Sequence, residues 1–155
     1  MITKISMDTH GVMARLMKML NKTGNLRPAL KLAGVHMYKS INENFQAQGR
    51  PTGWRPLKEK TIKRRRKGKG VGTAQILLDT GVLRASVTSP TPKKAKAKSI
   101  YRLSNDRLEI GTNLTYAMVH QKGSTKKNIP ARPYMLFQTE DSKKIQKIFK
   151  NYVVS

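Results

Sequence analysis

Three histidines and eight carboxylates are the side chains from which this chain could most readily assemble a catalytic or metal centre. His10, His36 and His120 are scattered, with neither the His-x-x-His nor the His-Glu-x-x-His spacing that sets two imidazoles on one helical face. They read as ordinary surface or helix histidines. Glu140 and Asp141 are adjacent, but acidic residues at the start of a helix are explained by the helix dipole without any chemistry. Asp79, Asp106 and Glu109 fall in a predicted β region near basic residues. Metal-dependent phosphodiester cleavage would need them to converge, and nothing in their spacing brings them together. With no cysteine there is no thiol nucleophile, disulfide or thiolate zinc site. The expectation is a protein that is not an enzyme and carries no cofactor or metal.

The basic residues are a different matter. Lys and Arg number 32 against 8 Asp and Glu, a formal net charge of +24. Self-repulsion at that charge opposes compaction and is offset by a polyanion, nucleic acid first of all. The charge is clustered: Lys63, Arg64, Arg65, Arg66 and Lys67 form one run, Lys93, Lys94, Lys96 and Lys98 a second, Lys126 and Lys127 a third. No aromatic residues are interleaved with them, which suits contact with phosphates better than base stacking or sequence readout. Gly68-Lys69-Gly70-Val71-Gly72 lacks the Gly-x-x-x-x-Gly-Lys-Ser/Thr spacing of a phosphate-cradling loop and reads as a linker. No apolar run approaches the roughly 20 residues that span a bilayer, and the N-terminus has no secretory apolar stretch. No membrane is expected, and synthesis in the cytoplasm is.

The elements that must position these residues follow from periodicity. Met13, Leu16, Met17 and Leu20 lie on one helical face, and after Lys22-Thr23-Gly24-Asn25 a second, longer helix runs through Leu30, Ala33, Met37, Ile41 and Phe45 to Gly49. Asn25 is placed to cap it, with Pro28 in its first turn. Residues 50–57 hold two prolines, a glycine and the single Trp, and read as an irregular loop that Trp54 pins to the core. A helix is predicted over 58–67, one helical turn over 82–85 after the turn at Asp79-Thr80-Gly81, and a short helix over 115–121. Tyr101–Leu103 and Leu108–Ile110 form a hairpin whose apolar residues share a face, with a partner strand near 86–90. Ile129-Pro130-Ala131-Arg132-Pro133 must be extended. Thr139 caps a C-terminal helix striped by Ile145, Ile148, Phe149 and Tyr152. The sum is an α+β fold: N-terminal helices and a C-terminal helix on a small antiparallel sheet, with long basic loops. Residues 1–155 are expected to form one domain, with 1–24 a helical extension and 63–74 and 92–99 flexible basic loops.

Several blocks resemble the phage virion morphogenesis, or tail completion, family of Mu-like phages. They are Phe45 to Pro51 with Gly49; Trp54-Arg55-Pro56-Leu57 with Thr61; and Ile76 to Ser86, including Thr80, Gly81 and Leu83. Gly111 in Ile110-Gly111-Thr112-Asn113, Tyr116, His120, Gly123, and Pro130, Arg132 and Pro133 before Tyr134 complete the set. The blocks stand in the family's order across residues 26–153. The resemblance implies a structural virion protein of the tail or neck, assembled in the bacterial cytoplasm and needed to join tails to heads. It further implies a homo-oligomeric ring around the DNA path, commonly of six subunits. Its partners would be tail-tube, tail-terminator or neck proteins and the DNA in transit. Two other readings remain open at this point, a terminator that caps tail-tube growth and a free, sequence-blind nucleic-acid-binding protein. The family contributes no catalytic residues.

Overall fold

The computed structural model describes residues 3–4, 24–65, 74–94 and 96–154. The helix expected over 12–20, His10, Arg66 and Lys67 lie outside them. The fold is α+β, with five helices and a three-stranded antiparallel sheet among the described residues.

The central element is α1 (Arg27–Gln46), whose start follows from its sequence. Pro28 needs no hydrogen bond in the first turn, and Asn25 Oδ1 accepts the Arg27 N–H at 2.9 Å. The residue at the cap position itself is Leu26, one place after Asn25, and its N–H is tied to Asn105 O at 2.8 Å. Ala29, Leu30, Ala33, Met37, Ile41 and Phe45 are buried at helical spacing. Around α1 pack α3 (Val82–Thr88), α5 (Thr139–Val154) and the hairpin of β2 (Ser99–Leu103) and β3 (Leu108–Thr112).

The hairpin forms with its apolar residues opposed, Tyr101 pairing with Ile110 and Leu103 with Leu108. Those four side chains pack against the core beside α1, where Tyr101 stacks on Tyr38 with centroids 6.2 Å apart. The approach is close because α1 carries Gly34 there; a Cβ would sit 2.9 Å from Leu108 Cδ2.

Four expectations are corrected. Residues 86–88 are not a strand but continue α3 beyond the single turn expected at 82–85. Leu83, Ser86 and Val87 are buried at i, i+3, i+4, and Ser86 Oγ and Thr88 Oγ1 bond back to the carbonyls of Leu83 and Arg84 at 2.8 Å. That helical face against α1 overrides the strand preference of Val and Thr. The third strand is instead β1 (Thr3–Lys4), paired with Thr112 and Gly111, so the N-terminal extension begins as strand. The basic segment at 63–74 starts inside α2 (Glu59–Arg65), and the one at 92–99 ends where Ser99 opens β2. Thr139 is the first residue of α5 rather than its cap. The Asp141 carboxylate reaches back to the Gln138 N–H at 2.9 Å, which satisfies a donor at the helix start.

Candidate binding cleft and basic surface

The irregular stretch after α1 is built by a backbone reversal. Gln48 and Gly49 take positive φ of 58° and 114°, and Trp54 N–H returns to Gln48 O at 2.7 Å. A Cβ on Gly49 would lie 2.7 Å from Thr52 O and Trp54 N, so only glycine fits. Trp54 is 7% exposed, meets Phe45 edge-on at 5.7 Å, and its indole N–H donates to Pro133 O at 3.2 Å. Pro51, exposed, follows a cis peptide bond.

Behind this stretch, Arg50 gathers α1 and α5. Its guanidinium donates to Asn44 Oδ1 at 2.9 Å, Ser40 O and Oγ at 2.9 Å, Glu43 at 3.0 Å and Glu140 at 2.8 Å. Asp141, 1% exposed, accepts from Ser40 Oγ at 2.9 Å and contacts His36 Nε2 at 2.8 Å.

The loop carrying Trp54 and Arg55 then faces α4 (Ala117–Lys122) and the extended segment after it. Gly123 ends α4 with φ of 79°, where a Cβ would lie 2.7 Å from Ala131 N. Arg132 N–H bonds to His120 O at 2.8 Å, and the Arg132 side chain crosses to Arg55 O at 3.0 and 3.1 Å. Tyr134, fully buried, donates its hydroxyl to Ala117 O at 3.1 Å.

These contacts leave a cleft of about 520 Å³ between α2, the turn before α3, α4 and the extended segment. Pro56, Leu57, Thr80, Gly81, Leu83, Tyr116, His120, Pro130 and Arg132 all line it. Residues grouped at the sequence level only as shared motif thus converge on one concave surface. Gly49, Trp54, Gly123 and Pro133 hold the framework around it, while Gly111 lies in β3.

The cleft is strongly cationic. Arg55, Lys58, Arg64, Arg65 and Arg132 face it, against one carboxylate, Asp79. The Arg65 side chain is held by Gln75 O at 2.7 Å and lies 3.8 Å from Asp79. Burial first, then the charges of Arg65 and Arg55, hold the Arg132 pKa below its usual value. Burial, then Arg132 and Arg65, likewise depress the pKa of His120, which keeps the imidazole neutral. His120 Nδ1 is buried without a hydrogen-bond partner, and Tyr116, 41% exposed, stands edge-on to the ring at 6.0 Å.

The other described basic residues singled out in the sequence do not line the cleft. Lys63 pairs with Glu59 at 3.0 Å. Lys93, Lys94, Lys96 and Lys98 are exposed, and Lys94 passes beside Gly81 on the rim, 3.1 Å from where a Cβ would stand. Lys126 and Lys127 are exposed in a turn closed by the Ser124–Ile129 bridge, and Asn128 and Ile129 of that turn line the cleft. Among the described residues no three His, Asp or Glu gather as metal ligands, and no helix is long and apolar enough to cross a membrane. Sequence reasoning passed over Arg50, Arg55 and Asp141 as site residues. The available signal was the Arg-Pro pair: Arg50, Arg55 and Arg132 each precede a proline, which biases the arginine to extended backbone.

The domain is α+β, with a basic surface and a cleft lined by five cations and one carboxylate. The phage virion morphogenesis family matches residues 7–154, so the chain belongs to that family and its role is structural, in building the phage particle. It is 27% identical over 146 residues to the Mu-like prophage FluMu G protein 2 of Haemophilus influenzae, covering 91% of this chain and 88% of that protein. An uncharacterized protein of Methanocaldococcus jannaschii is 33% identical over 97 residues, 61% of this chain and 64% of that one. No solved structure matches the chain significantly.

Proposed function

We propose that this protein completes the tail and joins it to the DNA-filled head, as one subunit of a ring around the DNA path. Family membership across residues 7–154 carries this reading. Charge supports the DNA-facing part of it. The lysines at 93, 94, 96 and 98 are exposed, and none is paired with a carboxylate among the described residues. They can meet phosphates without reading bases. Arg65, held against Gln75 O, is less free to do so than its place in a basic run suggested.

The test is electron microscopy of lysates from a phage in which this gene carries an amber mutation. Filled heads and finished tails should accumulate separately. Unpackaged empty heads, or normally joined particles, would overturn the reading, and tails of uncontrolled length would move the assignment to a tail terminator. In vitro, replacing Lys93, Lys94, Lys96 and Lys98 with Gln should flatten the log affinity against log salt slope for duplex DNA by up to about 3.6, at roughly 0.9 per phosphate contact. Unrelated duplexes should lose affinity equally.

A further inference from the structure

The cleft has a composition that neither the basic surface nor the family match explains. A site built only for a nucleic-acid backbone needs cations and polar groups on an accessible surface. Here the cations stand in a concavity whose walls also carry apolar side chains, among them Leu57, Val82 and Ile129, with the Tyr116 ring partly open to solvent. Holding several guanidinium groups close together costs free energy; Arg132 and His120, depressed first by burial, are depressed further by the neighbouring arginines. The lone carboxylate, Asp79, lies 3.8 Å from Arg65 and is itself 55% exposed, so it offsets little of that cost. A ligand that supplies carboxylates and apolar groups together would relieve the repulsion and cover the apolar wall.

We propose that this cleft is the docking site for an acidic peptide segment of a neighbouring assembly protein, one that alternates carboxylate and apolar side chains. A volume of about 520 Å³ accommodates a few side chains, within the usual size of ligand sites. Arginine suits a carboxylate because its planar fork pairs with both oxygens at once. Duplex DNA is convex and brings no apolar side chains, so it answers the exposed loop lysines but not the interior of the cleft. His120 lines the same wall, with its Nδ1 buried behind it. The inference rests on docking to another protein and does not depend on which junction of the particle that protein occupies.

A charge-matched comparison tests it. The probe is a fluorescein-labelled peptide alternating Glu with Leu and Phe, titrated at about physiological ionic strength, where long-range attraction is screened. One variant carries Arg55→Gln with Arg64→Gln, the other Lys93→Gln with Lys96→Gln, so each loses two charges. None of these four side chains makes a hydrogen bond or ion pair within the described residues, and thermal melts verify that both variants fold. The cleft pair should weaken peptide binding about tenfold or more, and the loop pair less than about twofold. For duplex DNA the order should reverse. Tyr116→Ala should weaken the peptide severalfold and leave DNA affinity unchanged. Equal effects of the two pairs on the peptide would reduce the binding to net charge and overturn the proposal. Loss of DNA but not peptide binding in the cleft pair would overturn it in favour of a phosphate site. Microscopy of the amber mutant reads a different quantity, so failure of one proposal is distinct from failure of the other.

Discussion

Replacing Arg50 with Lys keeps the charge and removes the fork, and the structure separates the two contributions. The guanidinium makes five hydrogen bonds. Two go to Glu43 and Glu140, whose side chains are 38% and 67% exposed, so solvent screening leaves them worth a few tenths of a kcal/mol each. The other three reach uncharged acceptors behind the surface: Asn44 Oδ1, and the carbonyl and hydroxyl of Ser40. Asn44 and Ser40 are buried, so an acceptor that loses its donor there is not rescued by water. A lysine ammonium can reach about one of the three. Losing two at about 1–1.5 kcal/mol each gives a destabilisation of about 2–3 kcal/mol. For a chain of this length that is a fall in Tm of roughly 5–10 °C. The assay is thermal unfolding followed by circular dichroism for the parent, Arg50→Lys and Arg50→Ala, at low and high salt. The Lys variant should melt nearer to the Ala variant than to the parent, and the gap should persist in high salt because bonds to neutral acceptors are not screened. A Lys variant within about 2 °C of the parent, a stability change of about 1 kcal/mol or less, would show that charge alone does the work and refute the reasoning.

Trp54→Ala should cost about 3–5 kcal/mol in denaturant unfolding, since it empties a site 7% exposed and breaks the bond to Pro133 O; unchanged stability would assign Trp54 to a partner surface. Phe149→Asp places a charge at a position 3% exposed, and the chain should yield no cooperative unfolding transition; a normal melt would contradict its burial. For His120, burial and the neighbouring Arg132 and Arg65 depress the folded pKa below 6.5. Below about pH 6.5 the unfolded chain therefore takes up a proton that the folded chain refuses, and stability falls until the folded pKa is passed. His120→Asn should flatten that part of the Tm against pH curve, and parallel curves for parent and variant between about pH 7.5 and 5 would remove His120 as the cause.

Elements whose signal is local could be read from sequence. The stripe of α1 and that of α5 repeat at helical spacing, and the hairpin announces itself by two apolar pairs flanking Ser104-Asn105-Asp106-Arg107. Residues 86–88 were misread because Val87 and Thr88 favour strand in isolation, while the burial of Leu83, Ser86 and Val87 against α1 is decided only in the folded chain. Thr3–Lys4 is too short to carry any period. The sequence marks many of the residues that line the cleft but not their convergence. Its arginines at 55, 65 and 132 come from a loop, a helix and an extended segment; Arg132 crosses to the Arg55 carbonyl, and Arg65 is held by Gln75 O. Asp141 and His36, 105 residues apart, are a similar case.

The disposition of the carboxylates carries a consequence for how copies of this chain can meet. Seven of the eight lie in the described residues, and each is already occupied within its own chain. Glu43, Glu59, Asp79, Glu109 and Glu140 face Lys or Arg; Asp141 holds His36 and Ser40; Asp106 holds the Ser104 hydroxyl. One copy therefore has little negative surface to offer the cations of the next, and two bodies of charge +24 repel. Added salt then acts in opposite senses, loosening the grip on a polyanion while letting copies approach one another. A bound polyanion would therefore lower the electrostatic cost of bringing two copies together at low ionic strength.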